Sequence, residues 1–172
     1  MDTFEIIDYH NRWLDEAATL YEHAFAVPNS GEHSGFILSR EIIVTNFLKD
    51  SFIGVLAINP DEEVIGLAYG FAPRDDAHRS QIIAKRIGAE WLEKVFMIDA
   101  FGMHFQQHSP ALAIALHDAL VERVKAQGYQ RLRTRIYIPR LDNLHGILAE
   151  QGWQTFDALS GLSHVMWMGK TL

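Results

Sequence analysis

The chain has 172 residues, 48% of them apolar and 22% charged, a balance that predicts a folded domain and excludes a disordered chain. It has no cysteine, which excludes a disulfide framework, a thiolate metal site and a cysteine nucleophile together. A formal net charge of −7 argues against a nucleic-acid partner, which needs a basic face; it suits a cationic small molecule, or serves solubility alone. No stretch approaches the ~20 apolar residues of a membrane helix, and Asp2, Glu5 and Asp8 stand where a signal peptide carries positive charge. The expectation is one domain over residues 1–172, in the cytoplasm, with no membrane partner.

In chain order, Thr3–Tyr9 alternates apolar and polar residues as a short strand. Asn11 is a candidate cap for a helix from Arg12 to about Ala26, with Leu14, Ala17, Ala18, Tyr21 and Phe25 at helical spacing. Pro28-Asn29-Ser30-Gly31 ends it. A second helix is predicted over Leu38–Leu48, with Ile42, Ile43 and Phe47 on one side. Ser51–Ile58 and Glu63–Phe71 read as strands joined by the turn Asn59-Pro60-Asp61-Glu62, an antiparallel hairpin. A helix is predicted over Ala77–Lys94, where Ile83, Ile87 and Trp91 are spaced by four.

The apolar run Val95-Phe96-Met97-Ile98 then opens a buried strand broken by Asp99, the one charged residue before Met103. A polar elbow follows, Phe105-Gln106-Gln107-His108-Ser109-Pro110, and then an amphipathic helix striped by Leu112, Leu116, Leu120 and Val124. Ser109 suits a cap and Pro110 the first helical position; Gly128 suits the stop. A strand feeding a helix through a tight elbow can aim backbone N–H groups at an anion. Gln130–Ile138 reads as a strand with Arg131, Arg133 and Arg135 on one wet face, and Asp142 or Asn143 caps a short helix through Glu150. Trp153–Phe156 and Ser163–Met168 are the last strands. The order predicts an α/β (α+β) fold, a mixed, mostly antiparallel central sheet flanked by helices.

This order, with the strand, elbow and helix at its centre, resembles the GNAT superfamily of acyl-CoA-dependent N-acyltransferases along nearly the whole chain. The family's elbow pattern, Val-x-Pro-x-x-(Gln/Arg)-x-x-Gly-x-(Gly/Ala) followed by Ala-Leu, fits here without a gap. Met103 stands at the Val, Phe105 at the Pro, His108 at the Gln/Arg, Ala111 at the first Gly, Ala113 at the Gly/Ala, and Ala115-Leu116 at the Ala-Leu. Gly152-Trp153 stands where the family usually has Gly-Phe. The residues depart from the pattern at His108 and Ala111, and Pro110 offers no N–H.

The resemblance implies acetyl transfer from acetyl-CoA to a primary amine of a small molecule, directly and without an acyl-enzyme. Its coenzyme-binding set is Phe101, Met103, His108, Ser109, Pro110, Ala111, Leu112 and Ala113, with Asn143 from the short helix. Asp99 stands where the family carries the base; a structural ion pair with Arg133 or Arg135 is the other role open to it. The family's thiol acid is a Tyr four residues before the closing Gly, and Leu148 occupies that place. Tyr137 or Tyr69 is left as the substitute. The implied acceptor walls are His33, Phe36, Tyr69, Trp91 and Trp167. His104 and His108 are four apart but in an elbow lacking a metalloprotease Glu, so no metal is expected. The partners implied are an acyl-CoA and a small amine, with a homodimer left open. Two other readings stay open: a GNAT-fold binding or regulatory protein without the chemistry, and transfer of another acyl group.

Overall fold

The computed structural model describes residues 3–25, 40–75, 80–81, 84–85, 89, 92–104, 109–137, 141–155 and 165–172. The strands are β1 (Glu5–Asp8), β2 (Ile53–Ile58), β3 (Val64–Phe71), β4 (Val95–Met103), β5 (Arg131–Tyr137), β6 (Gln154–Thr155) and β7 (Val165–Thr171). The helices are α1 (Leu14–Phe25), α2 (Arg40–Phe47), α3 (Pro110–Ala126) and α4 (Leu141–Glu150), with short 3-10 turns at Asn11–Trp13 and Pro73–Asp75. The seven strands form one sheet in the order β1-β2-β3-β4-β5-β7-β6. Every neighbouring pair is antiparallel except β4 and β5, which run parallel. The sheet is therefore mixed and mostly antiparallel, as the pattern of strands predicts.

The predicted hairpin is β2–β3. Asn59 shapes its turn, its Oδ1 accepting from the N–H groups of Asp61 (3.1 Å) and Glu63 (2.8 Å). Each face of the sheet carries its own apolar cluster. On one, Leu112, Ala113, Leu116, Leu120 and Val124 of α3 pack on Val55, Ala57, Phe96 and Ile98. On the other, Ala17, Ala18, Leu20 and Tyr21 of α1 pack on Leu56, Leu67 and Tyr69. Each fully buried Leu or Phe contributes about 1.5–3 kcal/mol over its exposed state. Gly66 lets α3 lie close to the sheet, since a Cβ there would stand 2.6 Å from Leu116 Cδ1.

Four sequence expectations are corrected. The cap before α1 is His10, whose Nδ1 accepts from Arg12 N at 3.1 Å, and not Asn11, which starts a 3-10 turn. Asp142 and Asn143 lie inside the first turn of α4, which starts at Leu141, so neither caps it. Arg133 is not on a wet face but buried, on a strand that lies inside the sheet between β4 and β7. The helix predicted through Lys94 does not reach it, since Leu92–Lys94 are in a turn and bend ahead of β4; residues 80–81 and 84–85 are helical, and much of the remainder lies outside the described residues.

A buried polar join ties α3 to the segment after α4. His117 is 1% exposed. Its Nε2 accepts from Trp153 Nε1 at 2.9 Å, and its Nδ1 lies 2.7 Å from Asp118 Oδ1. The indole N–H can only donate, so the imidazole is neutral, with its proton on Nδ1 donated to Asp118. Burial lowers the His117 pKa; the hydrogen bond to Asp118 works the other way. Among the described residues no helix is long and apolar enough to cross a membrane.

Candidate active site

The parallel pair β4–β5 is short. Val95, Phe96, Met97 and Ile98 pair with Arg131, Leu132, Arg133 and Thr134, and there the pairing stops. Beyond it β4 continues along β3 to Met103, while β5 continues along β7 to Tyr137. Thr134 fastens the last joined position, its Oγ1 donating to the Ile98 carbonyl at 3.2 Å. The two strands part at Asp99, so the edge of β4 from Asp99 onward has no strand ladder on the β5 side among the described residues.

Asp99 also sits on a β-bulge. On the β3 side, Tyr69 pairs with Ala100 and Gly70 with Ile98, so Asp99 is the extra residue. A bulge turns two successive side chains to one side of the sheet and re-aims them. The core records this shift in parity. Phe96 and Ile98 pack in the α3-side cluster, Ala100 in the α1-side cluster, and Phe101 and Met103 return to the α3 side. Gly70 permits the bulge: a Cβ there would lie 1.9 Å from the Met97 carbonyl oxygen.

The bulge presents Asp99, half-buried, to the α1 and α2 side of the sheet. Asn46 of α2 meets it there. Asn46 Nδ2 donates to Asp99 Oδ2 at 3.1 Å and lies 3.3 Å from the Tyr69 hydroxyl oxygen. Asn46 is buried and Tyr69 wholly so. The Tyr69 pKa is raised far above the ordinary tyrosine value, first by burial and then by the negative charge of Asp99. Tyr69 is therefore a neutral hydroxyl at any working pH. Tyr21, Phe47 and Phe52 surround its ring. Arg133 stands opposite Met97, and burial together with Arg131 lowers its pKa to about 10.

The start of α3 follows the cap predicted for it. Ser109 is extended, its Oγ accepts from Leu112 N at 3.1 Å, and Pro110 opens the helix. Ala113 N donates to the Ser109 carbonyl at 3.1 Å. The cap thus takes up the N–H of Leu112, the first helical backbone bond takes that of Ala113, and Pro110 has none. Ala111 is the residue of this turn whose N–H those bonds leave for an anion, and its methyl group is exposed. The side chains of Leu112 and Ala113 are buried in the core, as is that of Met103, while Phe101 is half-buried against the same cluster. The buried side chains of Leu112, Ala113 and Met103 leave their main-chain groups as the ones able to face a ligand, while the Phe101 ring is partly exposed.

His33, Phe36, Trp91 and His108 lie outside the described residues, as do the side chains of Tyr137 and Asn143. Trp167 is half-buried on β7, paired with Arg135. Tyr69 is behind Asn46 rather than at an open surface, so it is packed in the core and does not form a wall. Leu148, at the family's Tyr position, is 3% exposed and belongs to the core. Among the described residues no group of three or more His, Asp or Glu is placed to hold a metal ion. Asn46 and Gly70 were not singled out from sequence. Asn46 carried a faint signal, as the polar residue on the Ile42, Ile43, Phe47 side of its helix.

No protein-family model matches the sequence, and no curated relative does. Solved structures do match. The ribosomal-protein-S18-alanine N-acetyltransferase of Escherichia coli superposes with a TM-score of 0.69 at 10% identity, covering 98% of this chain and 94% of its own. A GNAT-family acetyltransferase of Staphylococcus aureus gives 0.67 at 13% identity over 99% of both chains. This chain has the GNAT acetyltransferase fold. PaiA N-acetyltransferase of Thermoplasma acidophilum, solved in complex with coenzyme A, shares the GNAT fold with this chain at a TM-score of 0.69, with 11% identity over 99% of both.

Proposed function

We propose that this protein is an N-acetyltransferase that moves an acetyl group from acetyl-CoA directly to a primary amine of a small molecule, working as one domain in the cytoplasm. The observation that carries the reading is the bulge that sets Asp99 at the point where β4 and β5 part. That opening admits a thioester from the α3 side, while an amine approaches from the α1 and α2 side. The amine nitrogen attacks the thioester carbonyl carbon, and the C–N bond forms as the C–S bond breaks. Asp99 takes the amine proton, and the departing thiolate takes one in turn, the role assigned to Tyr137. The pyrophosphate is held by main-chain groups at the start of α3, with Ala111 as donor and His108 and Asn143 beside it. His33, Phe36, Trp91 and Trp167 form the amine's walls.

A non-catalytic GNAT-fold binding protein is the second reading. It is favoured by the Ser109 cap, which takes up the Leu112 N–H beside a proline that has none, and by Leu148 in the core. Calorimetry with acetyl-CoA and free CoA separates the two, followed by a screen of primary amines with detection of released thiol. Absence of binding at millimolar ligand overturns the transferase. If lost N–H access alone weakens the elbow, Pro110→Gly with Ala111→Gly strengthens CoA binding several-fold; unchanged affinity in the folded variant removes that explanation.

A further inference from the structure

We propose that Asn46 is a positioning residue for Asp99, so that helix α2 sets the orientation of the base. The inference rests on the transferase reading above. A bulge takes a carboxylate out of the regular alternation of its strand and re-aims it. A restraint comes from outside the sheet, as Asn46 Nδ2 donates to Asp99 Oδ2 at 3.1 Å. The carboxylate also fixes which way the amide is turned, because the opposite orientation would set the amide oxygen against a negative oxygen. Asn46 itself is 6% exposed and lies beside the fully buried Tyr69 hydroxyl, so its side chain is anchored before any ligand arrives. Phe47, the next residue, stacks on Tyr9 at 4.2 Å between ring centroids, which pins this end of α2 to the sheet. Position passes from α2 through one amide to the carboxylate.

The direct consequence is that Asn46 acts on turnover through Asp99 and not on coenzyme affinity. The test is a double-variant cycle on acetyl transfer, with acetyl-CoA and spermidine as the probe amine, or the best amine of the screen where spermidine is not accepted. Asn46→Ala is expected to lower kcat about tenfold, the worth of one hydrogen bond to a charged group, with KM for acetyl-CoA unchanged. In the Asp99→Asn background the same change costs nothing further. The isosteric Asn46→Asp, which sets a second carboxylate against Asp99, is expected to lose at least as much, and serves if Asn46→Ala fails to fold. Unchanged kcat in a folded Asn46 variant, or losses that simply add to those of Asp99→Asn, overturn the positioning role and leave the transferase standing. Absence of transfer by the unaltered chain overturns the transferase reading and this role with it.

Discussion

Two hydrogen-bonded polar groups lie on opposite faces of the same sheet, and they are built differently. His117, on the α3 side, has a partner for each ring nitrogen: Trp153 donates to one and Asp118 accepts from the other. Such a closed join can only hold structure together. Asp99, on the α1 and α2 side, is half-exposed, stands on a bulge at the parting of two strands, and is met by an amide from another element. A carboxylate held in place but not enclosed can exchange a proton with a substrate. On the proposed function, the interrupted sheet beside Asp99, rather than burial or hydrogen bonding, is what separates it from His117.

The comparison predicts that changes at Asp99 cost activity and changes at His117 cost stability. The largest effect is expected from Asp99→Asn, which removes the proposed base and should reduce kcat by about 10²–10⁴-fold while CoA affinity and melting temperature hold. Loss of folding instead would give Asp99 a structural role. Next is Gly70→Ala, whose methyl must displace the Met97 carbonyl. It should cost about 1–3 kcal/mol or more in urea unfolding and, by shifting the bulge, lower turnover as well. Trp153→Phe leaves the buried His117 acceptor without its donor and should cost about 1–3 kcal/mol with kcat unchanged. A fall in kcat there would erase the division between the two faces.

The smallest effect concerns pH. The folded state lowers the His117 pKa, so it binds fewer protons than the unfolded state on the acidic side. The stability from neutral His117 is complete above the unfolded value of about 6.5 and is lost as pH falls from there through the lowered folded value. Urea midpoints should therefore drop on going from about pH 7.5 to 5.5, and His117→Gln should flatten that slope. An equal slope in the variant would assign the pH dependence to other groups.

Much of this was legible in the chain. Apolar periodicity placed the strands and helices because each must cover one or both faces. Ser109-Pro110 and Gly128 marked the ends of α3 because cap chemistry is local. Asp99 stood out because a charge in an apolar strand is costly to bury. Local patterns misled where burial depends on neighbours: the alternating arginines of β5 suggested a wet face, yet Arg133 is buried.

What the sequence determined by itself is the order of the strands and helices now described, apart from the segment ahead of β4, and the lone charge on the central strand, since these follow from short-range spacing and from solvation of single residues. Only the tertiary structure decided that Asp99 is an extra residue opposite Gly70, that β4 leaves β5 at that residue, and that Asn46 arrives from 53 positions away to hold it. A bulge and a strand split are properties of register between paired strands, and register is fixed by partners the local sequence does not contain.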